Sequence, residues 1–117
     1  MSEFNIEVTP MSDFAVLRSQ GYINNLGGEK IASECYNLMS KGYSSFILNL
    51  NESKVVNSIG ISILIEIIEK VIDRKGQLAF SNLTPTIAKT FKIMGLLQFA
   101  NNYDDESQAI SAFKNNQ

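Results

Sequence analysis

The chain has 117 residues, of which 44% are hydrophobic and 19% charged, so it can form one buried core but not two, and disorder is excluded. A net charge of −2 gives no basic surface for a phosphate backbone, so we expect no direct binding to nucleic acid. Histidine is absent, which removes the commonest general base and the commonest metal ligand. We therefore expect residues 1–117 to form a single domain.

The first third of the chain changes from strand patterns to a helix pattern. Apolar and polar residues alternate over 4–8, which predicts a half-buried strand that ends at Pro10. Residues 14–17 predict a second strand, and the short link between the two predicts an antiparallel hairpin. Over 26–39 the apolar residues recur at helical spacing, so we predict a helix there.

The middle of the chain holds its most apolar segment. Residues 46–50 are almost wholly apolar, which is typical of a central strand. Residues 58–75 fit both the alternation of a strand and the spacing of a helix. Because this segment is longer than any usual strand, we predict a helix. Its many isoleucines predict that it is buried over most of its circumference.

The last third continues the alternation of strands and helices. Residues 78–80 predict a short strand, 84–95 a helix with proline in its first turn, 99–100 a final strand, and 104–113 a last helix with an acidic start. The resulting order, ββαβαβα(β)α, predicts an α/β fold. We expect a mixed central sheet of four to five strands with about four helices, parallel in its core and antiparallel at the hairpin edge.

Polar residues gather at one junction, residues 55–60, where a turn meets the apolar helix. Ser58 is predicted to cap this helix, because its hydroxyl can accept a hydrogen bond from a free backbone amide, which contributes about 1 kcal/mol. Gly60 leaves the first turn open to the close approach of another group. A phosphate on Ser58 would lie among free amides at the positive end of the helix dipole.

Several segments follow the pattern of one known family. The apolar run over 46–50 is followed by Val-Asn-Ser-Ile-Gly over 56–60, which is similar to that family's apolar strand and its Asp-Ser-x-Gly signature. Gly-Tyr-Ile-Asn over 21–24 is similar to its Gly-x-Leu-Asp, and residues 94–96 and 103–110 also fit. Over nearly its whole length the chain resembles the STAS domain family, and within it the bacterial anti-sigma factor antagonists.

The resemblance implies a partner-switching regulator. In that family the unphosphorylated domain binds a partner that is both an anti-sigma factor and a serine kinase, which frees the sigma factor. Phosphorylation of the signature serine releases the partner, and a serine phosphatase restores binding. Carried over, this makes Ser58 the phosphorylation site. The resemblance implies a partner-binding face formed by Gly21, Asn24, Asn25, Asn57, Ser58, Ile59 and Gly60.

Two asparagines depart from the family pattern, since Asn57 and Asn24 stand where the family has aspartates. Asparagine keeps the size and one acceptor but lacks the charge. Ser58 can therefore be a regulated phosphorylation site or a helix cap alone, while the nearby Ser53 and Ser62 are expected to be solvated or packed. The alternative function is a STAS scaffold, or an accessory subunit of a stress-signalling or transport-ATPase assembly, that works without phosphorylation.

The remaining features argue against catalysis and against membrane attachment. Cys35 falls on the apolar side of a predicted helix, so we interpret it as a core residue and not as a reactive thiol. With no converging carboxylates either, we expect no enzyme activity, no metal and no cofactor. Neither a secretion signal nor a sufficiently apolar span is visible, so we expect a cytoplasmic protein without membrane contact.

Overall fold

The computed structural model describes residues 3–115, so the first two residues of the N-terminal segment lie outside it. Five strands form one mixed sheet in the order β1-β2-β3-β4-β5. β1 pairs with β2 as the predicted antiparallel hairpin, and every later neighbour is parallel. The strands are β1 (Asn5–Pro10), β2 (Ala15–Gln20), β3 (Phe46–Glu52), β4 (Leu78–Ser81) and β5 (Asn101–Tyr103).

The helices follow the predicted order. They are α1 (Asn25–Ser40), α2 (Ser58–Asp73), α3 (Pro85–Ile93) and α4 (Glu106–Asn115), with one short 3₁₀ helix (Leu96–Gln98) after α3. The segment with two possible patterns, residues 58–75, is a helix, as its length predicted. The α/β fold with a mixed sheet and four helices is therefore confirmed. Within the described part of the chain, no helix is both long and apolar enough to cross a bilayer.

Two apolar clusters lie on opposite faces of the sheet. α1, α2 and α3 cover one face, where Phe80 of β4 and Phe91 of α3 pack with ring centroids 5.0 Å apart. Cys35 is fully buried in this cluster, and burial raises the pKa of its thiol to about 12. The prediction that Cys35 is a core residue is confirmed.

α4 covers the other face, and an ion pair fixes its first turn. Phe14 and Phe113 meet edge to face there, with centroids 5.3 Å apart. The Arg18 guanidinium of β2 donates to both carboxylate oxygens of Glu106, at 2.8 and 2.7 Å, and the side-chain amide of Asn49 adds a third hydrogen bond at 2.9 Å. These donors hold the pKa of Glu106 below its ordinary value, despite partial burial.

Two predictions about these elements were wrong. Residues 99–100 are not a strand, because Gly95 takes a left-handed backbone (φ 88°) and starts the 3₁₀ turn, whose last residues lead into β5. Phe99 is consequently exposed. α2 is also not buried over most of its circumference, since half of its residues are exposed, including Ile59 and Ile72. Only the side of α2 that faces the sheet and α1 is sealed.

Candidate functional site

The loops that precede α1 and α2 are joined through their backbones. The Ile23 amide donates to the Val55 carbonyl at 2.9 Å, and the Asn57 amide donates to the Ile23 carbonyl at 3.1 Å. These bonds form an isolated parallel bridge between Ile23 and Val56 beyond the ends of β2 and β3. The segments 21–25 and 57–60, which the sequence analysis assigned to one face, therefore lie side by side.

The two helices begin with the same construction. Asn24 and Asn57 are the N-caps, each with extended backbone, and the Oδ1 atoms accept from the amides of Gly27 at 3.0 Å and Gly60 at 2.8 Å. We call residues 24–27 (Asn-Asn-Leu-Gly) the α1 start and residues 57–60 (Asn-Ser-Ile-Gly) the α2 start. Asn-x-x-Gly therefore stands at both helix starts, and this pattern was visible in the sequence.

The prediction that Ser58 caps α2 was wrong. The bridge to Ile23 holds Asn57 in the extended conformation, so Asn57 becomes the cap and Ser58 becomes the first helical residue. Ser58 is exposed, and its hydroxyl has no hydrogen-bond partner among residues 3–115. The Ser62 hydroxyl donates to the backbone carbonyl of Ser58 at 3.1 Å and leaves the Ser58 side chain free. The reading of Ser58 as a helix cap alone is therefore excluded.

The two asparagines cap the helices as aspartates would. Asparagine and aspartate are about equally good N-caps, because each offers one oxygen to the third helical amide. Asn24 and Asn57 are half-buried in this role. Their difference from the family aspartates therefore removes negative charge from the site and leaves the geometry of both helix starts intact.

The glycines of both starts allow the helices to approach a loop backbone. A Cβ on Gly60 would lie 2.1 Å from the Ile23 carbonyl oxygen, and one on Gly27 would lie 2.4 Å from the Tyr22 carbonyl oxygen. Both contacts are shorter than real Cβ atoms make. Gly60 is buried, so it supports the face from beneath instead of offering a surface. Because Gly60 has no side chain, the Ile23 carbonyl can lie in the space that a Cβ would occupy.

The two joined loops and helix starts that contain Ser58 also carry exposed apolar side chains. Four large hydrophobic residues in the two loops and helix starts leave between 46% and 62% of their surface open to solvent. Exposed apolar side chains grouped in this way mark interaction sites more often than scattered ones do. We call this group the apolar patch; it consists of Tyr22, Leu26, Val55 and Ile59. Of these residues only Ile59 was predicted as part of the site, although apolar residues inside polar loops were a visible signal in the sequence.

The predicted site residues divide into surface and support. Asn25, Ser58 and Ile59 are exposed in the joined helix starts, whereas Asn24, Asn57 and Gly60 hold the loops and helix starts in place. Gly21 is half-buried with a φ of +119°, which lets the chain turn away from β2. Ser53 is fully buried and shares a 2.8 Å hydrogen bond with Ser19, and Ser62 is exposed, so the first is packed and the second solvated, as predicted.

No group of three His, Cys, Asp or Glu side chains within residues 3–115 is arranged to hold a metal ion. The features that distinguish this face are a free hydroxyl, two uncharged caps and the apolar patch. Such a surface suits contact with another protein, because the apolar side chains can be buried there while the hydroxyl remains a site for added charge.

The fold and the joined helix starts define a small α/β domain of the STAS type. The family model of the STAS domain matches residues 5–109, and the chain belongs to that family. No curated protein sequence matches the chain significantly.

Solved structures share the fold at low sequence identity. TM1081 of Thermotoga maritima has a TM-score of 0.83 at 16% identity, with 92% of each chain covered. An anti-sigma factor antagonist from Mycobacterium paratuberculosis has a TM-score of 0.81 at 16% identity, covering 94% of this chain and 93% of its own. The Bacillus cell fate determinant SpoIIAA in its phosphorylated form has a TM-score of 0.74 at 19% identity, covering 93% and 99%. At these identities the likeness establishes the fold.

Proposed function

We propose that this protein is a cytoplasmic partner-switching regulator. It binds an anti-sigma factor that is also a serine kinase, and phosphorylation of Ser58 releases that partner. One observation carries the proposal: the Ser58 hydroxyl is exposed and free of intramolecular hydrogen bonds within the described residues, directly before Ile59 of the apolar patch. The similarity to anti-sigma factor antagonists supports the same class of partner.

The helix start explains how one phosphate can act as a switch. Phosphorylation adds about two negative charges at the first residue of α2. In the free protein these charges face the positive end of the helix dipole and the amides of the first turn, so the phosphate is tolerated. In a docked complex the same charges must lose water beside the apolar patch, which is costly. Phosphorylation therefore weakens docking and leaves the fold intact, and a serine phosphatase reverses it.

The uncharged cap Asn57 affects both the phosphorylated state and the recognition of Ser58 by a kinase. Because Asn57 directly precedes Ser58, the phosphate meets no carboxylate at the adjacent position, and the phosphorylated state is less strained than it would be beside an aspartate. A kinase that recognises an acidic side chain at this position would find none. We therefore expect a kinase that recognises the shape of the α2 start and the apolar patch.

Capture of the partner tests the proposal. Immobilised wild-type protein, Ser58→Ala and Ser58→Asp are exposed to a lysate of the native cells, and the bound serine kinase is quantified. We expect Ser58→Ala to retain capture and Ser58→Asp to lose at least tenfold, which corresponds to about 1.4 kcal/mol. Ser111→Asp is the matched control, because Ser111 is an exposed residue of α4, on the opposite face of the sheet. Equal capture by wild type and Ser58→Asp defeats the switch.

The second candidate function is a STAS scaffold or accessory subunit of a stress-signalling or transport-ATPase assembly. The uncharged caps Asn24 and Asn57 favour it, because a domain that is never phosphorylated has no need of an acidic signature. Equal capture of one assembly by wild type and Ser58→Asp, together with loss of capture in Leu26→Ser, would select this function. Leu26 suits the test because its exposed side chain contributes to the apolar patch and not to the core.

A further inference from the structure

A second apolar surface lies at the far end of α2. A groove of about 610 Å³ runs between the second half of α2 and the turn that follows α3. Its position is about 10 to 20 Å along the helix axis from Ser58, at 1.5 Å per residue. We call it the acidic groove; its lining includes Glu69, Ile72, Asp73, Met94, Leu96 and Phe99.

The apolar lining of the acidic groove extends onto the open surface. Ile72 is 44% exposed, Met94 51% and Phe99 67%. All large hydrophobic residues that are exposed within residues 3–115 fall either in the apolar patch or at this end of the molecule, where Ile93 joins them. Exposed apolar side chains continuous with a groove mark a surface that another molecule covers.

The charges near the end of α2 divide between two depressions. Glu69 and Asp73 are the charged residues in the lining of the acidic groove, and Asp73 also lines a separate depression beside Tyr36 of α1, together with Lys70 and Arg74. The Lys70 ammonium lies 5.7 Å from the centroid of the Tyr36 ring. Neither carboxylate forms an ion pair with any residue in the range 3–115. The groove therefore presents unpaired negative charge above an apolar floor.

This arrangement is unfavourable for the free helix. Glu69 and Asp73 are four residues apart, so two like charges are neighbours on one helix face. Asp73 is also the last residue of α2, where the negative end of the dipole disfavours a carboxylate. Both costs are relieved when a cation binds beside the two carboxylates. Lys70, three residues before Asp73, offsets part of this cost within the helix, and a basic partner would offset the rest.

We propose that the acidic groove binds an amphipathic helix of a partner protein, with its apolar face on Ile72, Met94 and Phe99 and its Lys or Arg side chains on Glu69 and Asp73. The open groove and the exposed apolar side chains along it suit the apolar stripe of a helix. A second copy of this chain would bring identical carboxylates together across a two-fold axis. A fatty acid would bring its own carboxylate toward the acidic pair. The charge pattern therefore favours a basic helix.

A display library tests this proposal with the intact chain. Helical peptides of about four turns carry fixed leucines along one face, and their flanking positions vary among basic, acidic and uncharged residues. We expect selection to enrich lysine and arginine at the flanks. Enriched peptides should bind about threefold more weakly to Glu69→Gln and to Asp73→Asn, and at least tenfold more weakly to Phe99→Ser.

Controls separate this surface from the rest of the molecule. Lys114→Gln neutralises an exposed charge of α4 on the opposite face of the sheet, and Ser58→Asp alters the proposed switch, so both should leave peptide affinity unchanged. Asp73→Asn should unfold at or above the wild-type temperature, which separates lost binding from lost structure.

Three results would overturn the basic-helix proposal. The first is enrichment of acidic or uncharged peptides, or peptide affinity that Phe99→Ser leaves unchanged. The second is a dimer in sedimentation that Phe99→Ser dissociates, which would assign the groove to a second copy. The third is a fatty acid that binds this groove while no basic peptide is enriched. None of these results bears on the function proposed for Ser58.

Discussion

The α1 start and the α2 start are two versions of one construction with different surface chemistry. Each has an asparagine cap, an exposed polar first residue, an exposed apolar second residue and a buried glycine whose amide donates to the cap. The first residue is Asn25 in one and Ser58 in the other. Of the two, only the α2 start presents a group that can accept a phosphate.

The comparison separates what holds the face together from what acts on it. The caps and glycines are common to both helix starts, so they are explained by the need to join two loops side by side. The serine is particular to one start, so architecture does not require it. The candidate function therefore depends on the Ser58 side chain, which lies on a helix-start structure that occurs at both α1 and α2.

The largest expected effect comes from filling the space of the shared glycines. Gly60→Ala should destabilise the fold by about 3 kcal/mol, because its Cβ would overlap the Ile23 carbonyl and force the loops apart. Gly27→Ala should cost a similar amount through the Tyr22 carbonyl. Urea unfolding measures both, with the exposed Ser62→Ala as the control, expected within about 0.5 kcal/mol of wild type. A Gly60→Ala variant as stable as wild type would refute the close contact between the α2 start and the Ile23 carbonyl.

A change on the opposite face of the sheet should reduce stability without affecting partner capture at the two helix starts. Glu106→Gln should cost about 1 to 2 kcal/mol, because it removes the charged partner of Arg18. Since the pKa of Glu106 is lowered in the fold, its contribution is full above its ordinary pKa near 4.5 and is lost as the pH falls. Acid titration of stability should therefore be shallower in Glu106→Gln, and partner capture should not change. An equally steep acid titration would refute this role.

Removing a cap should have a smaller effect that is alike at the two starts. Asn57→Ala and Asn24→Ala should each cost about 1 kcal/mol, because the third amide of the helix loses its acceptor. Asn57→Asp and Asn24→Asp should be close to neutral or slightly stabilising, since a carboxylate favours a helix start. Thermal unfolding measures all four. A large loss in the aspartate variants would show that the site requires neutral caps.

The smallest expected effect is the labelling of the Cys35 thiol, which is buried in α1. Because burial raises the pKa of its thiol to about 12, a thiol reagent should not label the folded protein at neutral pH. The thiol stabilises the fold fully below its ordinary pKa near 9, and this contribution is lost as the pH rises toward 12. Rapid labelling of the native protein at pH 7 would contradict the burial of this thiol and its exclusion from the site.

Local patterns predicted most of the fold, and long-range contacts account for the errors. The start of α2 at Ser58 followed from apolar spacing and length. The capping residue did not, because the bridge between Ile23 and Val56 decides which residue remains extended. β5 was placed two residues early, since its polar segment 101–103 becomes a strand only by pairing with β4.

The candidate site was predicted in outline and missed in part. The resemblance of both loops to the family pattern pointed to the segments 21–25 and 57–60. The apolar patch needed coordinates, because exposure of Tyr22 or Val55 depends on which neighbours fail to cover them. The acidic groove was also out of reach, since its two walls are separated by more than twenty residues of sequence.

The central claim is that Ser58 is the phosphate-accepting side chain of the two matched helix starts. Intact-mass measurement of the protein purified from its native cells, before and after phosphatase treatment, tests it most directly. We predict a population heavier by one phosphate, which phosphatase removes and which Ser58→Ala lacks. A phosphate that persists in Ser58→Ala, or a protein that never carries one while its partner is bound and released, would contradict the claim.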